Sequence, residues 1–407
     1  MAEVYKNLVL SKTNILFDLN TRKIYKLDKN YAKKFKKMKN NKGEEDFPVA
    51  HDNVLKIDLN VNTIKINMCN CCNLKCQYCF ANEGTYNHTG QFLSKSTCNS
   101  ILQFIEKCPS IEYITFFGGE PFLNYEHIQY LCKEIKEINP NIKFLLQTNG
   151  TIMNEEIKKM IEMYNIQITL SIDGFREDND RNRIYKNNKG TYDDIISNFT
   201  DLKQYIVAIE ATWDGKSRYS KLETAKYLYE IFKCDRISIC DLFKTDKKFE
   251  NVNEELKQLK ENPYYLNNDI KKFIANFVSK KNSSTYCSAG SGLLQIDADG
   301  KIYPCHLLID KKDKYCLGNV NDLEFDDLLK KREIFLQNMT KDNNQCRSCV
   351  NRWNCSPCFS EHEGINWKLC KSVQNRTLEN FDLIGEEIEK GNFNEILKSV
   401  ERTTVYV

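Results

Sequence analysis

The sequence predicts an α/β fold: a partial barrel of six βα units, preceded by a short α+β segment and followed by a domain organised around thiols. Three observations carry this. Between about residues 62 and 245, short β-rich runs alternate with stretches of helical spacing, the pattern of βαβ units and a parallel sheet. Turn residues close several of those strands at their C-terminal ends. After about residue 283 the regular periodicity fades and cysteines become dense up to Cys370. The expected divisions are residues 1–60, 61–280, 281–375 and 376–407.

Within 1–60, NILFDL and IYKLD are short apolar–polar runs joined by NTRK, which predicts a β-hairpin. AKKFKKMKNNKGEED follows as a short basic helix and a polar linker, its lysines forming a solvated face. Barrel strands are expected at TIKINM, EYITFF, KFLLQT, IQITLSI, VAIEAT and RISIC, and helices over 94–107, 124–138, 154–163, 191–204 and 220–233. Gly118-Gly119, Asn149-Gly150 and Asp173-Gly174 end three of the strands, and loops at those ends carry the chemistry in folds of this kind. Residues 252–280 read as helices leading out of the barrel. SAGSG and DADGKIY are turn signals in the next domain, and 376–407 reads as one or two helices with a short β-like end.

Composition excludes several classes of function. Of 407 residues, 59 are Lys or Arg and 56 are Asp or Glu, a net charge of +3. Such a balance does not suit a chain built to grip nucleic acid or an anionic membrane. There is no apolar run long enough for a membrane span and no signal-peptide pattern at the start, so a cytoplasmic protein is expected. The unusual count is 18 cysteines. In a large chain without secretory features these point to metal or redox chemistry rather than a disulfide framework.

Directly after the first barrel strand comes MCNCCNLKCQYCF. Cys72, Cys76 and Cys79, spaced by three and two residues, can hold three irons of a [4Fe-4S] cube. The fourth iron is then open to a small molecule bearing an amine and a carboxylate. On the residues alone a zinc site is the alternative, with Cys69 or Cys71 as a further ligand, although structural zinc usually draws on paired CxxC knuckles. CxxxCxxC at the C-terminal end of strand one of a βα barrel, followed by Phe80, resembles the radical S-adenosylmethionine superfamily. The resemblance covers about residues 62–245. It implies that Cys72, Cys76 and Cys79 ligate a cluster whose reduction cleaves S-adenosylmethionine. Gly118-Gly119-Glu120-Pro121 follows the second strand, where glycines allow close backbone approach. By the resemblance, Gly118, Gly119 and Glu120 bind the methionine amino group. QTNG and SIDG end the next two strands, and SIDGFREDNDRNR resembles the corresponding family segment. Asn149, Ser171 and Arg183 carry over as cofactor contacts; on the residues alone, Arg183 equally suits a surface salt bridge.

The second set of thiols runs Cys287-x12-Gly300-x4-Cys305, then Cys346-x2-Cys349-x5-Cys355-x2-Cys358, then Cys370 eleven residues on. Seven thiolates exceed one zinc site and suit two zinc knuckles or two iron–sulfur clusters. The order resembles the SPASM domain of peptide-modifying radical enzymes, with two residues rather than the usual three between Cys355 and Cys358. That resemblance implies two auxiliary [4Fe-4S] clusters, an outer one on Cys346, Cys349, Cys355 and Cys370 and an inner one on Cys287, Cys305 and Cys358. The inner set is one thiolate short. Cys316 is either the missing ligand or an ordinary buried cysteine. Cys98, Cys108, Cys132, Cys234 and Cys240 lie in helix- or strand-like segments and read as core residues.

KIYPCHLLIDKKDKYCLGNV resembles the matching stretch of peptide maturases that make thioether bridges, where a His also follows the cysteine. Sulfatase-maturing relatives usually carry Asp there. His306 is therefore either a reactive group or a hydrogen-bond donor to a cluster sulfur. NILFDLNTRKIYKLDKNYAKKF resembles a shortened precursor-peptide recognition element, which binds a leader by adding it as a strand to a sheet edge; a hairpin packed on the barrel is the alternative. The resemblance implies a maturase of sactipeptide or ranthipeptide type working in an anaerobic cytoplasm, a Cys-containing precursor peptide, and an external electron donor such as flavodoxin or ferredoxin. Formylglycine formation or another cross-link is the enzymatic alternative. A non-catalytic zinc or electron-transfer protein is the alternative of a different class.

Overall fold

The computed structural model describes residues 1–5, 8–38, 61–242, 251–279, 285–341, 344–347, 349–362 and 367–404. The polar linker expected after the basic helix and the β-like end at 405–407 lie outside the described residues. The chain separates into two compact units. A barrel unit takes Ile57–Phe243 and Ser288–Asn338; a terminal unit takes Met1–Lys56, Lys244–Cys287 and Met339–Val407.

The terminal unit begins with β1 (Glu3–Tyr5), β2 (Leu8–Leu10), β3 (Ile15–Asp18) and β4 (Ile24–Lys26), followed by α1 (Lys29–Met38). The strands form a four-stranded sheet in sequential order, antiparallel throughout. The expected hairpin is β3–β4; β1 and β2, three residues each, are too short to show a period in the sequence.

The barrel unit then runs β5 (Thr63–Asn67), α2 (Lys95–Glu106), β6 (Tyr113–Phe117), α3 (Tyr125–Ile138), β7 (Lys143–Thr148), α4 (Glu155–Tyr164), β8 (Gln167–Ser171), α5 (Arg176–Asn182), α6 (Tyr192–Phe199), β9 (Ile206–Trp213), α7 (Lys221–Phe232) and β10 (Ile237–Asp241). The six strands pair in parallel, as the alternation predicts. Alternating burial marks most of them. In β5, Ile64 and Ile66 are fully buried while Thr63 and Lys65 are only partly so, since a strand sends successive side chains to opposite faces. Helix α5 has no apolar period and leaves no such signal. Glu177 and Asp178 in its first turn suit the positive end of the helix dipole, and Asp178, Asn179 and Asn182 are buried as polar packing.

The barrel sheet does not stop at six strands. The chain returns through α8 (Val252–Glu261) and α9 (Asp269–Val278) of the terminal unit, then forms β11 (Leu293–Ile296), β12 (Lys301–Tyr303) and β13 (Gly318–Asn319). The sheet order is β10-β9-β8-β7-β6-β5-β11-β12-β13. β11 pairs in parallel with β5, from Leu293 opposite Thr63 to Ile296 opposite Ile66. The DADG sequence turns the chain back into β12, with Gly300 at φ +89°, where a Cβ would lie 2.6 Å from Asn319 Oδ1.

The remaining α-helices among the described residues are α10 (Phe325–Asn338) of the barrel unit and α11 (Asn344–Arg347), α12 (Phe359–His362), α13 (Trp367–Glu389) and α14 (Phe393–Thr404) of the terminal unit. The terminal unit has its own core, in which Val9, Ile15 and Phe17 of the small sheet meet Phe273, Phe277, Phe381 and Trp353. The Phe17 and Phe381 rings lie 4.7 Å apart. The N-terminal hairpin is thus packed on α9 and α13, helices of its own unit. Among the described residues no helix is long and apolar enough to cross a membrane.

Candidate functional site

β5 ends at Asn67 and delivers the chain into the Cys69–Cys79 loop. Cys72, Cys76 and Cys79 are each half-buried and lie within electrostatic reach of one another. Burial, then the Glu120 carboxylate, pushes the Cys72 thiol up to about 12, with Cys76 and Cys79 adding to it. Burial likewise raises Cys76. A metal that binds here must displace those protons. Among the described residues no group of three or more His, Cys, Asp or Glu side chains converges on a single ion position. A [4Fe-4S] cube takes one thiolate at each of three separate corners, so three thiols around one loop fit it without such convergence.

The Gly-Gly-Glu segment after β6 is laced to this loop. Gly119 N donates to the Cys69 carbonyl and Glu120 N to the Cys71 carbonyl, each at 3.0 Å. A Cβ on Gly118 would lie 2.4 Å from Cys69 O, and one on Gly119 only 1.9 Å from Cys71 O. The close approach that these glycines permit is to the backbone of the thiol loop. Cys69 is fully buried and its thiol donates to the Cys71 and Glu120 carbonyls, a packing role.

Glu120 is fully buried. Its carboxylate accepts from Asn149 N at 2.8 Å, Thr148 Oγ1 at 2.8 Å and Phe122 N at 3.1 Å. Burial lifts it to about 7, and those three hydrogen bonds pull the other way. Asn149 also reaches the loop, its Nδ2 lying 3.6 Å from Cys72 Sγ and 3.0 Å from Asn73 Oδ1. Cys72, Gly119, Glu120 and Asn149 are therefore one contiguous site. Arg183 is also buried, with Nε 3.1 Å from Asp173 Oδ1, and the same carboxylate accepts from the Tyr78 hydroxyl within the thiol loop. The ion pair is internal rather than on the surface. Ser171 ends β8, nearly buried, opposite Glu210.

A polar node that the sequence showed only as a turn lies behind the loop. Asp297 is fully buried and accepts from Asn67 Nδ2 at 2.8 Å and Asn70 Nδ2 at 3.0 Å. Gln295 Nε2 donates to Asn67 Oδ1 at 2.9 Å. These bonds tie the entry of the thiol loop to the β11–β12 hairpin. Beyond it, Cys305 Sγ and His306 Nδ1 are 3.7 Å apart. The His306 ring packs edge-on to Phe117 at 5.2 Å and Phe80 at 5.7 Å. Burial, then the Lys65 ammonium, keeps the imidazole well below its usual range, hence neutral. Cys316 donates to the Gly318 carbonyl at 3.4 Å and packs against the buried cluster that includes Tyr303 and Ile309.

In the terminal unit, Cys346, Cys349, Cys355 and Cys370 lie within electrostatic reach of one another. Burial, with the neighbouring thiols adding, raises Cys355 to about 11. Cys358 Sγ instead lies 3.0 Å from Ser360 Oγ. Of the cysteines read as core, Cys98, Cys132 and Cys234 are buried. Cys108 is half-buried and Cys240 is exposed. The latter two correct the reading: β10 alternates, so Cys240 shares the open face with Ser238 while Ile237 and Ile239 turn inward.

Residues 66–214 match the family described as the radical SAM superfamily, and residues 287–350 match SPASM, an iron–sulfur cluster-binding domain. An uncharacterized protein of Methanocaldococcus jannaschii, MJ0907, is 33% identical over 62% of this chain and 86% of its own length. A cysteine-type anaerobic sulfatase-maturating enzyme of Clostridium novyi is 25% identical over 68% of this chain and 82% of its own. Among solved structures, anSMEcpe with bound AdoMet superposes with TM-score 0.64 at 20% identity, over 84% of this chain and 99% of that one. SuiB of Streptococcus suis bound to S-adenosylmethionine superposes at 0.54 and 16% identity, over 88% and 96%.

Proposed function

The chain belongs to the radical S-adenosylmethionine superfamily and carries its SPASM iron–sulfur domain, and from that premise we propose that it is a peptide maturase installing Cys-to-carbon thioether bridges in a ribosomally made precursor. The observation that carries the radical chemistry is the packing of the loop bearing three clustered thiols against a Gly-Gly-Glu segment whose Glu120 is buried. One cluster on Cys72, Cys76 and Cys79 supplies, when bound, the electron that cleaves S-adenosylmethionine. Glu120, buried and reached by Asn149, is the acceptor for the methionine ammonium, and Gly118 and Gly119 hold the loop in place. Asn149, Ser171 and Arg183 line the remainder of the cofactor site. Two auxiliary clusters use Cys287, Cys305, Cys346, Cys349, Cys355, Cys358 and Cys370.

A peptide substrate is favoured by neighbours solved with peptides: SuiB bound to precursor peptide SuiA and anSMEcpe with Kp18Cys peptide. The thioether reading draws on His306, a neutral imidazole between Phe80 and Phe117 where sulfatase-maturing relatives usually carry Asp. The similarity to the Clostridium novyi enzyme favours formylglycine formation as a second reading. Electrons come from an external donor of flavodoxin or ferredoxin type, in an anaerobic cytoplasm.

Co-expression with a Cys-containing peptide encoded nearby separates the readings by mass spectrometry. A thioether is expected to remove two hydrogens per bridge, retain sulfur and leave the thiol unalkylatable. Loss of the sulfur with gain of an aldehyde would establish formylglycine instead. Glu120→Gln is expected to weaken S-adenosylmethionine binding by roughly tenfold or more, the value of a charge-assisted hydrogen bond. Equilibrium dialysis on anaerobically reconstituted protein measures it, and unchanged affinity would remove Glu120 from the cofactor site.

A further inference from the structure

The terminal unit surrounds its thiols with groups that ligation alone does not require. Lys341 is 2% exposed; burial pulls its ammonium down and the Arg352 guanidinium acts the same way, while the thiols of Cys355, Cys346 and Cys287, within electrostatic reach, raise it. Its Nζ donates to the Arg352 carbonyl at 3.2 Å. Among the described residues it makes no ion pair with a carboxylate. A buried lysine within electrostatic reach of those sulfurs favours negative charge on them. Two hydrogen bonds point the same way. Gln374 stands one helical turn after Cys370 on α13, and its Nε2 donates to Cys349 Sγ at 3.2 Å. The Tyr286 hydroxyl is hydrogen-bonded to Cys346, with Cys355 and Cys370 also in electrostatic reach.

We infer that Lys341, assisted by Gln374 and Tyr286, sets the redox poise of the centre held by Cys346, Cys349, Cys355 and Cys370. The inference rests on reading those thiols as ligands of an iron–sulfur cluster. Reduction adds a negative charge to such a cluster. A buried cation and hydrogen bonds to its sulfurs stabilise that charge and raise the potential. The device makes this centre a better electron acceptor than its four thiolates alone would. These are tuning residues, with no contact to substrate assigned to them.

The test is a potentiometric titration, followed by electron paramagnetic resonance, of the anaerobically reconstituted full chain. Lys341→Met removes the charge at similar length. At the wild-type midpoint of one auxiliary cluster it is expected to lower the reduced-to-oxidised ratio by about tenfold, equivalent to about 59 mV for a one-electron couple. Gln374→Leu is expected to shift the same midpoint in the same direction by less, and Lys341→Arg to restore it. The midpoint of the Cys72 cluster and the rate of S-adenosylmethionine cleavage without peptide are expected to stay fixed. An unmoved auxiliary midpoint at full iron content overturns the inference. If Lys341→Met loses its iron, Gln374→Leu decides, and an unmoved midpoint there overturns it equally. A wild-type chain that takes up zinc, or iron for the Cys72 cluster alone, overturns the cluster reading itself.

Discussion

Replacing Cys72, Cys76 and Cys79 together with alanine is expected to abolish 5′-deoxyadenosine formation while the terminal unit keeps its iron. The three thiols lie in the loop after β5 and within electrostatic reach of one another. Cys346, Cys349, Cys355 and Cys370 form a separate set in the other unit. On the proposed assignment, removing the first set takes away one cluster's ligands and none of those of the two auxiliary clusters. Wild-type protein is expected to hold about twelve irons and the triple variant about eight, at four irons per cube. Product is expected to fall to the level of reductant and S-adenosylmethionine without enzyme. Chromatography of an anaerobic dithionite reaction, beside an iron assay, reads both outcomes. Cleavage that persists in the triple variant would move the radical chemistry away from this loop.

Gly119→Ala is expected to act nearly as strongly, although it removes no ligand. A Cβ there would lie 1.9 Å from the Cys71 oxygen and 2.4 Å from its carbonyl carbon. Both are backbone atoms of the thiol loop, so no side chain can swing aside. Relief requires the loop to move, which breaks the Glu120 N–Cys71 O and Gly119 N–Cys69 O bonds that lace it to β6. Overpacking of this kind costs about 3 kcal/mol, sometimes more. The barrel unit is expected to unfold at lower denaturant and to lose the cluster proposed on Cys72, Cys76 and Cys79. Gly391→Ala is the matched comparison. Its backbone is left-handed at φ +80° but nothing lies within 4 Å of the new Cβ, so only conformational strain of about 1 kcal/mol is expected. Equal losses at the two positions would mean that steric contact with the thiol loop is not what Gly119 relieves.

Most of the barrel was legible because its strands largely alternate burial and its longer helices carry an apolar stripe, so period separates them. Helix α5 was not, since its buried face is made of Asp178, Asn179 and Asn182, residues that hydropathy scores as surface. The return of β11 to the edge of β5 was hidden for a different reason. Leu293–Ile296 is four residues long, and its partner lies far back in the sequence. Asp297 illustrates the general difficulty at the site. The DADG turn marked its position, but only the fold brings Asn67 and Asn70 to its two oxygens. The same holds for Lys341 and Gln374. A lysine and a glutamine among many gave no sign of facing thiols until α13 and the segment after α10 were placed.

The pairing of β5 with β11 also bears on how the polypeptide is made. β5 emerges from the ribosome early, but the strand that covers its open edge, Leu293–Ile296, follows roughly 230 residues later, about ten to fifty seconds at ordinary elongation rates. Through that interval the loop bearing Cys72, Cys76 and Cys79 hangs from an uncovered edge strand, the kind of template that promotes aggregation. That edge therefore stays unpaired until Leu293–Ile296 is made and the hairpin held by Asp297 can close against Asn67 and Asn70.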